Sequence, residues 1–220
     1  MVRPGKILSL QSHVAYGYVG NRAAVFPLQL LGFDVIVVNT VQFSNHTGYG
    51  TWRGDVFSAN HISEILKGLD ERGVLEDLDG VLTGYLGDDT LGEIILDKFQ
   101  SLKIKNPELT YICDPVMGDV GRGLFVKDTL PSFFKKKAIP NARIMTPNLF
   151  ELSLLTGSKP QTRDDVLKAA RQLHNNGNGP EIILTTSALT RDTKKGEIEM
   201  IASSSDGKAC AISTPMIDID

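Results

Sequence analysis

The chain has 220 residues, 41% hydrophobic and 22% charged, the balance of a soluble globular protein with one sizeable core. Its formal net charge of -3 leaves no electrostatic footprint for nucleic acid, and its one basic cluster, Lys135, Lys136 and Lys137, is expected at the solvated end of a helix. No apolar run approaches the ~20 residues of a membrane span, and Met1 to Leu10 lacks a signal-peptide hydrophobic region, so a cytoplasmic location away from membranes is expected.

Short β-branched runs alternate with helical patterns along the chain, the signature of βαβ units and a largely parallel sheet flanked by helices. The first strand is predicted over residues 6–11, and a helix follows over 20–32 that Gly32 closes and Pro27 should kink. The second strand, 33–40, runs into "VQFSNHTGYGTW" at 41–52, which reads as a loop. This stretch offers amides, hydroxyls, an imidazole and aromatic rings between glycines, a chemistry suited to holding a small polar ring. A helix over 59–73, a strand over 79–85, a helix over 88–102 capped by Asp88 or Asp89, and a strand over 109–115 come next. Helices over 128–137, 148–157 and 162–177 frame strands at 142–148 and 181–187, and Thr162 with Asp165 resembles a capping box. Beyond Ser187 the pattern becomes a hairpin, 197–205 and 208–215 about the turn residues Asp206 and Gly207, an antiparallel edge on the sheet. No repeat or linker divides the chain, so one domain over 1–220 is expected. Cys113 and Cys210 have no CxxC or Cys/His metal spacing and read as two reduced, buried thiols.

In open α/β sheets ligands gather beyond the carboxyl ends of the strands. Those ends are polar here: Ser12 and His13; the stretch 41–52; Thr83, Gly84 and Tyr85; Asp114; Thr146 and Asn148; Thr185, Thr186 and Ser187. "GYVGN" at 17–21 lacks the GxGxxG spacing, and Asn39 and Thr40 stand where a dinucleotide site needs an acid, so these glycines read as letting backbone approach a ligand closely. No GxxxxGK[ST] loop is present. Asp114, before Pro115, either orients the water shell of a Mg²⁺ ion near phosphates or caps a turn. Asn148 and Glu151 share one face at a helix start, where Glu151 also suits the helix N-terminus simply as a charge. His13, His61 and His174 have no partner at metal spacing, and the last two are expected on helix surfaces; Trp52 and Tyr85 fit equally as core aromatics.

Five stretches, "SLQSHVAYGYVGNRAAVFPLQLLGFDV", "NTVQFSNHTGYG", "LTGYLG", "CDPVMGD" and "TPNLFELSLLTG", together resemble the pyridoxal kinases of the ribokinase-like superfamily. The resemblance implies a ribokinase-like α/β fold and ATP-dependent phosphorylation of the 5'-hydroxymethyl group of pyridoxal, pyridoxine or pyridoxamine by a homodimer. It places Ser12, Val19, Phe43, His46, Thr47 and Tyr85 around the vitamer. It places Asp114, Asn148, Glu151, Thr185 and Thr186 around the nucleotide, with Asp114 and Glu151 supporting Mg²⁺ through its waters, and Asp114, Thr146 and Thr185 bordering a monovalent cation such as K⁺. Members of this family carry a G-[TAV]-G-D turn whose Asp is the catalytic base. No such motif occurs in the 220 residues, so the base is expected past Asp220 and the 220 residues alone are expected to turn over little substrate. An inactive vitamer-binding protein and a hydroxymethylpyrimidine kinase are the alternatives.

Overall fold

The computed structural model describes residues 4–217, and its contacts group into two units, 1–112 and 113–220. In the first unit, β1 (Lys6–Tyr16) leads through α1 (Asn21–Leu30) to β2 (Asp34–Asn45), a 3₁₀ turn (Thr47–Tyr49) and β3 (Gly54–Val56). Then come α2 (Ala59–Glu71), β4 (Gly80–Thr83), α3 (Asp89–Lys105) and β5 (Thr110–Cys113). The strand order is β5-β4-β1-β2-β3; β1 runs parallel to β2 and β4, and β3 closes the edge antiparallel to β2. Leu8, Leu10 and Val81 fill the strand interiors, although Ser9 between the first two is polar and equally buried. α2 starts on the Ser58 hydroxyl, which accepts from His61 N–H, and buries Ile62 and Leu66 one turn apart. α3 starts on Asp88, which accepts from Leu91 N–H, and places Lys103 and Lys105 in its last turn against the helix dipole.

β1 and β2 both outrun their predicted lengths. They pair from Lys6 and Asp34 to Tyr16 and Asn45, with a register shift between Gln11 and His13. Residues 41–45 of the expected loop are therefore strand: Val41 and Phe43 are buried, and Gln42 and Ser44 alternate with them on the more open side. Ser12 and His13 consequently lie inside β1, at its irregularity, and not after its end.

The second unit opens with a small ribbon, β6 (Gly118–Asp119) and β7 (Gly123–Leu124). The helix expected over 128–137 is broken into α4 (Leu130–Phe133), a π-helical turn (Phe134–Ala138) and α5 (Ile139–Asn141). Phe133, Phe134, Ala138 and Ile139 are all buried, and the wider turn carries two pairs spaced five residues apart to one face, leaving Lys135, Lys136 and Lys137 in solvent. After β8 (Ile144–Met145), α6 (Leu149–Thr156) and α7 (Arg163–His174) come β9 (Ile182–Ala188), β10 (Glu197–Ser204) and β11 (Ala209–Pro215). β9 is parallel to β8, and β10 and β11 add antiparallel strands in the order β8-β9-β10-β11. The predicted capping box at Thr162 and Asp165 is present. The predicted hairpin is present too, turning at Gly207 with φ 89.

Two expectations are corrected. His174 is buried, not on the helix surface, because the last turn of α7 aims its ring inward: Nδ1 lies 2.6 Å from the Pro180 carbonyl and Nε2 3.0 Å from the Ser203 hydroxyl. Cys210 is exposed, since every residue of β11 is open to solvent, whereas Cys113 is fully buried as expected.

Glu199 is the polar centre of the second unit. It has no solvent exposure and accepts from Arg163 through both oxygens, from Thr193 Oγ1 at 3.1 Å and from Ser213 Oγ at 3.0 Å. The Arg163 guanidinium holds its carboxyl down at about 2, against an ordinary 4.5. A lowered folded-state value stabilises the fold above pH 4.5, and that contribution is lost as pH falls through 2. Glu199→Gln is therefore expected to lower Tm by several degrees at neutral pH, with the gap to wild type narrowing as pH falls below 4.5. Melting curves with a gap independent of pH would show that the charge contributes nothing.

Candidate active site

The sequence-predicted residues fall into two sets, one in each unit. In the first unit Val14, Val41 and Phe43 form a buried apolar cluster, against which Val19 and Tyr85 pack half-buried. Trp52 lies against the Phe43 ring, with centroids 4.1 Å apart, and stays 42% exposed, so it is no core aromatic. Tyr85 is held by its main chain, whose carbonyl accepts from Thr40 Oγ1 at 2.8 Å. Ser12 is half-buried at the register shift of β1. Gly20 closes on it with φ 55, and a Cβ there would collide with the Ser12 carbonyl and hydroxyl, so the first helix can approach only through glycine. His46 begins the 3₁₀ turn and meets Tyr49 edge-on at 5.7 Å, while Thr47 is exposed within it. Val19, Phe43 and Tyr85 are thus drawn into one apolar patch, Ser12 lies against Gly20, the residue after Val19, and His46 and Thr47 lie on the turn that follows β2.

The second unit gathers the acids and hydroxyls. Glu151 is 3% exposed and caps α6 reciprocally: the Asn148 side chain accepts from its N–H, and Glu151 Oε2 accepts from Asn148 N–H at 2.9 Å. Its other oxygen accepts from Met117 N–H at 2.8 Å, and Asn148 Nδ2 donates to the Gly118 carbonyl at 2.8 Å, so one carboxylate ties the start of α6 to the segment after β5. Burial nonetheless pushes Glu151 up to about 8, the nearby Asp114 charge adding to the effect while these N–H donors oppose it. Asp114 is pushed up to about 6 because surrounding protein strips its hydration, an effect that a hydrogen bond with Thr146 only partly offsets. Thr186 N–H donates to the Pro147 carbonyl at 2.9 Å, bringing Thr185 and Thr186 beside Asn148. Ser187 follows in a left-handed conformation, φ 49, the kind of backbone strain that accumulates at ligand sites.

The donor set suits a hard cation held mainly by its own waters. Among the described residues no group of three or more His, Cys, Asp or Glu could hold a metal, which leaves the Asp114 and Glu151 pair. Magnesium commonly binds through one or two carboxylates plus phosphates and retained waters. Thr185 Oγ1 is buried and, among the described residues, has no hydrogen-bond partner, an orphan oxygen that a cation would satisfy.

Sequence reasoning missed Val14 and Val41, whose alternation with Gln42 and His13 was the available signal. It also missed Trp52 as the ring lying on Phe43, and the buried polar residues Ser9, Gln11, Asn21 and Thr40.

The phosphomethylpyrimidine kinase family model matches residues 35–218. Pyridoxal kinase PdxY of Rubrobacter xylanophilus is 50% identical over 215 residues, covering 97% of this chain and 73% of that protein. The PdxY of Granulibacter bethesdensis is 49% identical over 215 residues, 97% of this chain and 75% of its own length. The chain belongs to the pyridoxal kinase family. A solved member, pyridoxal kinase from Leishmania donovani in complex with ADP and pyridoxamine, shares the fold with a TM-score of 0.87 at 31% identity, over 96% of this chain and 72% of that one. Like those pyridoxal kinases, the chain has a mostly parallel sheet, flanking helices and an antiparallel hairpin.

A carboxyl such as that of Asp114, whose folded value lies above its unfolded 3.8, favours the fold fully below that pH, and the contribution is lost as pH rises through about 6. Asp114→Asn keeps an oxygen for the Thr146 hydroxyl and removes the titration. Its Tm is expected to fall less than that of wild type between pH 4 and 7 without metal, and parallel curves would show that the Asp114 carboxyl is not desolvated.

Proposed function

We propose that this protein binds ATP and a B6 vitamer and serves transfer of the γ-phosphoryl group to the 5'-hydroxymethyl of pyridoxal, pyridoxine or pyridoxamine. The observation that carries the reading is the apolar patch of Val14, Val41, Phe43, Val19 and Tyr85, with half-buried Ser12 at the β1–β2 register shift, on a chain half identical to pyridoxal kinases along nearly its whole length. A small site with a few convergent polar groups against apolar walls is what discrimination among substituted rings requires. Phe43 and Val19 pack on the ring, Tyr85 walls it, Ser12 hydrogen-bonds it, and His46 and Thr47 meet its substituents.

Nucleotide falls to the second unit. Asn148 and the Thr185–Thr186 pair face phosphate oxygens, and Asp114 and Glu151 hold the water shell of Mg²⁺, which when bound neutralises charge on the transferring phosphoryl group. The orphan Thr185 hydroxyl, with Thr146 and Asp114, supports a monovalent cation such as K⁺ at the same strand ends. We place all of this in a single ribokinase-like domain of a cytoplasmic homodimer; the family supports the domain, and Phe26, Leu30 and Leu31, exposed along and just after α1, supply apolar surface for a second copy. Sedimentation as a monomer would remove the dimer.

Binding tests the vitamer residues most directly. Ser12→Ala and Tyr85→Ala are expected to weaken pyridoxal by the roughly 0.5–1.5 kcal/mol of a hydrogen bond to a neutral group, or somewhat more for the lost ring, with ADP affinity unchanged. Calorimetric titration with pyridoxal and with ADP measures both, and a hydroxymethylpyrimidine run in parallel addresses the activity named by the family model. Unchanged pyridoxal affinity in both variants would overturn the assignment, and tighter pyrimidine binding would redirect it.

A further inference from the structure

The first unit also holds a buried polar chain, joining β1, β2 and the start of α1, on which phosphoryl transfer makes no direct demand. Ser9, Gln11 and Asn21 are 0%, 6% and 1% exposed. Gln11 Nε2 donates to Ser9 Oγ at 3.0 Å, and Ser9 Oγ donates to Asn21 Oδ1 at 2.7 Å. Asn21 Nδ2 in turn donates to Asn39 Oδ1 at 2.9 Å, to the Val38 carbonyl at 3.1 Å and to the Gln11 carbonyl at 3.3 Å. One side-chain amide therefore has its acceptor filled and its two N–H groups shared among three oxygens, on β1 and on β2.

The place of this amide is informative. The Gln11 carbonyl lies where the β1–β2 register shifts, and Ser12 is the next residue. Asn21 is the first residue of α1, directly after Gly20, where any side chain would collide with the Ser12 carbonyl and hydroxyl, and two residues after Val19. The amide thus joins the residue before Ser12 to the residue after Gly20.

We propose that Asn21 is a positioning residue of the vitamer site: its side chain pins the start of α1 to β1 and β2 at the register shift, and so sets Ser12 and Val19 without touching substrate. The inference rests on reading the Ser12, Val19, Phe43 and Tyr85 set as the vitamer site. Released from Asn21, Gly20 can move off Ser12, and the serine hydroxyl and the Val19 side chain lose their fixed relation. A small misplacement of this kind costs binding more than it costs the core, whose apolar residues stay in place.

The test is Asn21→Ala in the whole chain, titrated with pyridoxal and, as a control for folding in the second unit, with ADP and Mg²⁺. Pyridoxal is expected to weaken about tenfold, the equivalent of about 1.4 kcal/mol, with ADP affinity kept. Pyridoxal affinity equal to wild type overturns the proposal, and so does an equal loss for both ligands, which would make Asn21 a fold residue only. Should Asn21→Ala show no cooperative melt, Asn39→Ala decides, since it removes a single acceptor of the same amide. A pyridoxal loss of about threefold with ADP unchanged supports positioning, and no change overturns it. Wild-type protein that binds ADP and no pyridoxal would instead sink the vitamer reading itself, a result separate from any difference between variants.

Discussion

The first unit depends on the long parallel pairing of β1 with β2 and on the single place where that pairing slips. Up to Gln11 the two strands match residue for residue; from His13 on they match again, one step displaced. Side chains alternate across a strand, so a one-residue displacement changes which ones share a face. Below the shift Ser9 and Gln11 turn to the buried polar chain at Asn21, and above it Val14 turns to Val41 and Phe43. Polar scaffolding and apolar patch therefore lie on either side of one irregularity, with Ser12 at the changeover. The glycine at position 20 follows from the same constraint, because only a residue without Cβ can close on Ser12 there.

In the second unit Glu151 has the corresponding place. A buried carboxylate is costly, and backbone N–H groups of Asn148, Met117 and Gly118 that bond to this one offset only part of the cost. Those bonds bring α6, the segment after β5 and Asp114 close enough for the Asp114 charge to raise the proton affinity of Glu151 further. Groups perturbed by both desolvation and a like charge are characteristic of functional sites, and a cation would relieve both penalties at once. The orphan hydroxyl of Thr185 points to the same need for positive charge.

Much of this was legible in the sequence, and the exceptions have physical causes. Thr162 with Asp165 and Asp206 with Gly207 announce a cap and a turn through short-range spacing, and both appear as read, whereas Asn148 and Glu151, read as sharing one face at a helix start, also prove to form a capping box. The polar set was legible because β-branched runs give way to it, although Ser12 and His13 lie within β1, and Thr185, Thr186 and Ser187 within β9, not beyond their ends. The continuation of β2 was hidden because Gln42, Ser44 and nearby glycines resemble a loop, although Val41 and Phe43 keep the period of two. Burial of Glu199 could not be read, since its partner Arg163 is 36 residues away and no local pattern links them. Nor could exposure of Cys210, whose neighbours in "ACAIS" look like a buried strand, while β11 turns no residue into a core. The role of Asn21 was hidden within a glycine-rich stretch, because a side chain that satisfies three oxygens on two strands is recognisable only once the strands are paired.

On this reading vitamer and nucleotide fall to different sets of residues, one in each unit. Residue-resolved hydrogen exchange with each ligand alone tests it most directly. Pyridoxal is predicted to slow exchange at 12–20, 41–49 and 83–86, and ADP with Mg²⁺ at 114–118, 146–151 and 185–187. Protection by pyridoxal confined to the second set, or absent from the first, would contradict the account.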